Sequence, residues 1–143
     1  MRQAKHTNPL YTTDFYEWTQ TQVKLLRSNE LDKVDLEHVI EEIESLGKSE
    51  RSALKNQVIR LLVHLLKIKY QPSRHTRSWD RSIGNAKIEI EKILEDNPSL
   101  KREMEMIFNE AYPHARKKAS VETELELKTF SEKCPWTMKE IME

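Results

Sequence analysis

The sequence predicts an all-α fold: a single-domain helical bundle of five to six helices with a long central third helix. The 143 residues contain only two glycines, which leaves few positions for tight hairpin turns. Glu, Lys, Leu and Ile, which are common, favour helices, and apolar residues recur every three to four positions. A chain of this length typically forms one domain, so we expect residues 1–143 to share one core.

Charge and cysteine content limit which binding partners and which cellular compartment we expect for this protein. The chain has 24 basic and 24 acidic residues, so no overall charge attracts nucleic acid or an anionic membrane. A single cysteine, Cys134, cannot form an intramolecular disulfide and suits a reducing compartment. Residues 1–10 are polar, with no apolar segment typical of a signal peptide, and no run of 18 apolar residues follows. We therefore expect a cytoplasmic protein that does not bind membranes.

The first half of the chain predicts two helices after a flexible N-terminus at residues 1–10. The first begins near Asp14, with Thr13 or Asp14 as its cap, and ends near Ser28. The second begins at Asp35 and ends at Gly47, a residue suited to the left-handed position after a helix. Its apolar stripe consists of Leu36, Val39, Ile40, Ile43 and Leu46.

The predicted third helix extends from Ser49 to Tyr70 and is apolar on most sides, as expected for a helix surrounded by others. Pro72 stops it, because the residue before a proline avoids helical geometry. A tight turn at Gly47 would make this helix antiparallel to the second one. The third helix is therefore predicted to be the centre of the bundle.

Three further features complete the predicted topology. Ser78 caps the fourth helix, and the Asn97-Pro98 pair opens a fifth, inside which Pro113 predicts a kink or break. Residues 121–143 form a less regular tail that ends in a short helix. Thr137 caps that helix, with Glu140 three residues later in capping-box spacing.

Six short segments, in order, resemble a known family. They are residues 11–18 (YTTDFYEW), 41–47 (EEIESLG), 64–67 (HLLK), 78–79 (SW), 98–100 (PSL) and 134–136 (CPW). Together they are similar to Domain of Unknown Function family 29, over about Leu10 to Met142. The resemblance implies an all-α bundle from bacteria, common in cyanobacteria, with no established activity. It transfers no catalytic residues.

The acidic face of the second helix is the first candidate site. His38 and Glu42 are four residues apart, a spacing that could hold a metal, and Glu41 and Glu44 lie nearby. A di-metal bundle needs matching Glu-x-x-His sets on other helices, and the sequence contains none. We therefore favour pairing of these carboxylates with Arg or Lys, and we predict no metal and no cofactor.

His64 is unusual because leucines surround it in the sequence. A buried neutral imidazole needs a hydrogen-bond partner, and the predicted hairpin keeps His64 away from Glu42. A structural bond to the first or fifth helix, with Tyr112 as one partner, is the favoured interpretation. The alternative is a hydrolase or nuclease centred on His64, with Arg60 four residues earlier on the same face.

The connector between Lys67 and Arg81 is the strongest nucleic-acid feature. Basic residues with interleaved aromatics, Tyr70 and Trp79, can contact phosphates and stack on bases. Its basic residues are Lys67, Lys69, Arg74, Arg77 and Arg81. The favoured alternative is internal, because residues 30–44 hold seven acids against one lysine and could neutralise the connector. Trp79 would then begin the buried face of the fourth helix.

These observations favour a non-catalytic protein-binding or regulatory module, acting through an unknown protein partner or self-association. The sequence shows no glycine-rich phosphate loop, no metal-spaced Cys and His set and no nucleophile–base pair, so we expect no enzyme. Nucleic-acid binding through the connector is the alternative, and catalysis at His64 is the weaker one.

Overall fold

A computed structural model describes residues 8–143 and confirms the all-α prediction. No strand occurs in that range, and the six α-helices are α1 (Pro9–Thr13), α2 (Phe15–Arg27), α3 (Leu36–Tyr70), α4 (Arg77–Asp96), α5 (Met104–Thr123) and α6 (Met138–Met142). The chain divides into two compact units, a first that ends at Lys48 and a second over Ser49–Glu143. The predicted single domain stays a prediction. Most of the predicted flexible N-terminus, residues 1–7, lies outside the described residues.

Side-chain caps define the two short helices of the first unit. The Asn8 side chain accepts a hydrogen bond from the Leu10 N–H at the start of α1. The Asp14 carboxylate accepts one from the Glu17 N–H at 3.0 Å, which confirms Asp14 as the cap of α2. The Asp14 N–H itself donates to the Leu10 carbonyl, so α1 ends where α2 begins.

The predicted break at Gly47 is wrong, because α3 is one continuous helix of 35 residues. Gly47 does not have a positive φ, so it does not adopt the left-handed conformation that would end a helix. A glycine inside a helix costs only about 1 kcal/mol relative to alanine, and no proline lies nearby to enforce a stop. Continued backbone hydrogen bonding therefore outweighs the weak local signal. The helix ends at Tyr70, as Pro72 predicts.

Continuity of α3 leaves the predicted apolar stripe of the second helix exposed. The exposed fractions are 61% for Leu36, 46% for Ile40, 63% for Ile43 and 68% for Leu46. We call these four residues the apolar face. A hairpin at Gly47 would have covered this stripe with the following helix, and without the hairpin its side chains remain in contact with solvent.

The second unit has a conventional apolar core. The part of α3 after Ser49 packs against α4 and α5, as the prediction of a central helix required. Leu54, Leu61, Leu62 and Leu66 are fully buried there. The tail also contributes Phe130 and Ile141 to this core; the remaining buried members are Val58, Val63, Ala86, Ile90, Leu100, Met104, Ile107, Phe108, Ala111, Tyr112, Ala115 and Ala119.

The boundaries of the later helices differ in detail from the predictions. The N-cap of α4 is Thr76 and not Ser78, and the Asn97-Pro98 pair opens a 3₁₀ helix, Pro98–Glu103, before α5. A kink or a break was predicted at Pro113; the break does not occur, because α5 continues through Pro113, and the kink stays a prediction. Because proline has no backbone N–H, the Asn109 carbonyl lacks the helical hydrogen bond that residue 113 would otherwise donate. Asn109 and Pro113 are both exposed, so water can donate to this carbonyl instead.

The predicted terminal helix is confirmed as α6. The Thr137 hydroxyl accepts a hydrogen bond from the Glu140 N–H at 3.2 Å, which is the first half of the predicted capping box. The tail before it is irregular apart from a short 3₁₀ helix, Leu127–Thr129.

We expect Gly47→Ala to stabilise the protein by about 0.5–1 kcal/mol, because alanine is the better residue inside a continuous helix. An added Cβ at Gly47 meets nothing within 4 Å. Urea unfolding measures the change, with Gly84→Ala in α4, which is equally open, as the matched control. A loss of stability at Gly47 with a gain at Gly84 would contradict an unbroken α3.

Candidate functional site

Asp35 organises a dense group of polar contacts in the first unit. Its carboxylate oxygen Oδ2 accepts from the Trp18 indole N–H at 2.9 Å and from His38 Nδ1 at 2.7 Å. The Asp35 backbone N–H donates to Gln22 Oε1 at 2.8 Å. Because an ionised carboxylate only accepts, Nδ1 is the protonated nitrogen of His38 in this arrangement. Asp35 therefore joins α2 to the start of α3.

Tyr11 connects α1 to the same residues. Its ring stacks on the His38 ring with centroids 3.8 Å apart and meets the Trp18 ring edge-on at 4.8 Å. Its hydroxyl donates to Glu42 Oε1, and this bond is the main reason that the pKa of Tyr11 is raised to about 12. We call Tyr11, Trp18, Asp35, His38 and Glu42 the Asp35 cluster.

Burial and hydrogen bonding act in opposite directions on Asp35. Burial alone would raise its pKa, but the hydrogen bonds from His38 and Trp18 outweigh it, so the pKa lies below its usual value. The ionised carboxylate is thus the form that the cluster stabilises. Within residues 8–143, His38 Nε2 has no hydrogen-bond partner, and the cluster contains no Ser, Thr or Cys to act as a nucleophile.

The acidic candidates of the predicted second helix are only partly brought together. Glu42 joins the Asp35 cluster through Tyr11, whereas Glu41 and Glu44 are exposed and have no ion pair among the described residues. Over the same part of the chain, no group of three His, Cys, Asp or Glu side chains is arranged to hold a metal.

His38 and Glu42 were candidates from the sequence, but their partners Tyr11, Trp18 and Asp35 were not predicted. One local signal existed, since Asp35 and His38 are three residues apart at a helix start, where such side chains meet. No comparable sequence pattern indicated that the rings of Tyr11 in α1 and Trp18 in α2 lie against each other beside His38.

The prediction for His64 is wrong in its partner. His64 Nδ1 donates to the Arg60 carbonyl at 2.8 Å, within α3 itself. Tyr112, the suggested partner, donates its hydroxyl to the Ser131 carbonyl, and burial is the main reason that its pKa is raised to about 12. The half-buried imidazole of His64 therefore has a hydrogen bond within its own helix, and in the described range neither α5 nor a carboxylate bonds to it.

The basic connector has free cations but no free aromatic ring at Trp79. Arg74, Arg77 and Arg81 are exposed and have no ion pair in the described part of the chain. Trp79 is half-buried, with Lys67 Nζ 4.9 Å from its ring centroid and the His75 ring stacked at 6.1 Å.

Two connector residues pair within the second unit. Lys67 binds Glu122 at 3.2 Å, and His75 binds Asp80 at 2.6 Å. These contacts account for Lys67 and His75 but leave the three arginines to solvent.

Comparison with known protein families identifies the family of this chain. The family model described as "Domain of unknown function DUF29" matches residues 10–143. No curated protein and no solved structure matches the chain. Among the described residues, no helix is both long enough and apolar enough to cross a membrane.

Acidification should disrupt the Asp35 cluster. Because the folded pKa of Asp35 is lowered, its stabilising effect is present above the unfolded value of about 3.9 and is lost as the pH falls through the folded value. We expect the Trp18 indole N–H resonance to shift over this range, as the indole loses its charged acceptor.

Asp35→Asn should abolish that titration, and Asp32→Asn, at an exposed acid one turn earlier, should preserve it. An indole signal that stays constant from neutral pH to below the folded pKa in a folded protein would contradict the assigned bond.

Proposed function

The chain belongs to the DUF29 family, a domain of unknown function, and from that premise we propose that it is a non-catalytic protein-binding module. One observation carries the proposal: the apolar face places four large aliphatic side chains along one side of α3, each about half exposed or more. Single exposed apolar residues are ordinary, but a continuous row of them is typical of interaction surfaces. Helices commonly dock in this way, through positions three and four residues apart.

The charges beside the apolar face indicate the chemistry of the partner. At 100° per residue, Glu41 and Glu44 fall along one border of the face. Residues 30–44 as a whole carry seven acids and one lysine, Lys33, which pairs with Glu30 at 3.0 Å. We therefore assign the occupant as an amphipathic helix of another protein, with an apolar stripe bordered by Lys or Arg.

A second copy of this chain is the less favourable occupant. In a twofold dimer through the apolar face, the acids of one copy would lie near the same acids of the other, which disfavours association. A basic partner would replace this repulsion with attraction. Full burial of a Leu or Ile side chain contributes about 1.5–3 kcal/mol, so even partial coverage of four such residues supports measurable binding.

A synthetic amphipathic helix of leucine and lysine should bind the full chain, as measured by fluorescence anisotropy. Ile43→Ser should weaken binding about tenfold or more, because it removes the apolar contact at the middle of the face. Ile88→Ser, at an apolar residue of α4 that is 54% exposed, is the matched control and should leave binding unchanged.

Two results would contradict the proposal. The first is equal binding of a peptide with glutamate in place of lysine, which would show that charge plays no part. The second is a concentration-dependent dimer in sedimentation that Ile43→Ser abolishes, which would make a second copy the occupant.

The exposed arginines of the connector support one further candidate function, nucleic-acid binding. Arg74, Arg77 and Arg81 could each contact a phosphate. Because Lys67 and His75 cover Trp79, we expect contacts to the backbone and no base stacking on that ring.

Retention on single-stranded RNA or DNA should then fall with salt and be lost in Arg74→Glu/Arg77→Glu. Lys101→Glu/Arg102→Glu, at two exposed residues of the 3₁₀ helix Pro98–Glu103, changes the net charge equally and should have no effect. Absence of retention at low salt would exclude this function.

A further inference from the structure

Ion pairs align along the seam between α3 and α5 in the second unit. Arg51 binds Glu103 at 2.9 Å and also binds Glu110, near the start of the seam. Lys67 binds Glu122 at 3.2 Å near its other end. At both ends, therefore, a base of α3 meets an acid of α5.

The middle of this seam has positive charge without matching acids. A groove of about 580 Å³ lies there, lined by Lys55, Asn56, Ile59, His114, Lys117, Lys118 and Val121. No carboxylate is among these lining residues. We call this the seam groove.

Few acidic side chains near the seam groove neutralise the positive charge of its lysines. Lys117 and Lys118 are exposed and have no ion pair within residues 8–143. Lys55 lies 3.8 Å from Glu110, but that carboxylate is mainly bonded to Arg51, which holds the pKa of Glu110 below its usual value. Among the described residues, the ammonium groups of Lys55, Lys117 and Lys118 therefore have one carboxylate near them, that of Glu110, which is shared with Arg51. In a chain with no net charge, this is a local concentration of cations.

We propose that the seam groove binds a small phosphate-bearing molecule that also has an apolar or aromatic part. The ammonium groups of Lys55, Lys117 and Lys118 donate to the phosphate oxygens, and the His114 ring offers a further donor. Ile59 and Val121 provide the apolar contact; Val121 is 77% exposed and otherwise packs against little. This proposal does not depend on the function assigned to the apolar face.

The size and composition of the groove favour a small molecule over a polymer. Its volume falls within the range of about 300–1,000 Å³ that is usual for small-molecule sites. Beyond the groove, Arg51 and Lys67 are already bonded to Glu103, Glu110 and Glu122, so these cations are not free to bind the further phosphates of a polymer. Lysine binds phosphate as a point charge, so three lysines can share one phosphate group without strict geometry.

Isothermal titration calorimetry of the full chain at low salt tests the proposal, with adenosine 5′-monophosphate as the probe. Adenosine tests the need for phosphate, and inorganic phosphate tests the need for the apolar part. We expect the nucleotide to bind more tightly than either. Lys117→Glu/Lys118→Glu should weaken nucleotide binding about tenfold or more, because two charge-assisted contacts become repulsive.

The matched control is Lys101→Glu/Arg102→Glu, which makes the same change in net charge at exposed residues away from the groove. Circular dichroism verifies that both variants fold. A second test is Asn56→Ala/Val121→Ala, which leaves the net charge unchanged and should also weaken nucleotide binding. Equal weakening in the two charge variants would overturn the proposal by showing non-specific attraction. So would adenosine binding as tightly as the nucleotide, or an oligonucleotide binding when the nucleotide does not.

Discussion

Uninterrupted backbone hydrogen bonding in α3 is the constraint on which the other features depend. From Leu36 to Tyr70 the helix continues through Gly47, where a turn would otherwise bring a second helix back over the first. Two consequences follow in different parts of the chain. The residues before Lys48 retain an apolar stripe that no hairpin covers, and the residues after Ser49 supply the helix around which the apolar core forms.

The first unit compensates for a small core with polar contacts. Only Trp18 and Gln22 are buried among its described residues, and both bond to Asp35. A buried polar group that loses its partner costs about 1–3 kcal/mol, so a network of this kind is sensitive to the loss of any member. The Tyr11 and His38 rings add stacking to these bonds. Order in this unit therefore depends on directional contacts more than on apolar burial.

The second unit shows the opposite balance. Its core is continuous from Leu54 to Ile141, and charged residues lie at its borders. Along the seam between α3 and α5, charges are paired near Arg51 and near Lys67. Between those pairs the lysines outnumber the acids, so the electrostatic field is positive at one place on a chain that is neutral as a whole. Stability comes from the core, which leaves these surface charges available for binding.

The fold class, most helix boundaries and the family could be predicted from sequence patterns alone. Asp14, Thr137 and Pro72 act through bonds or steric clashes within a few residues, so local rules were sufficient to place them. What each helix face meets was not specified locally: the stripe at Ile43, predicted to be covered, is exposed. The bond from His64 to the Arg60 carbonyl is itself local, and the long-range partner predicted for His64 was wrong. The exposure of Ile43 depends on which distant residues approach it, and helical periodicity specifies a face without specifying its neighbour.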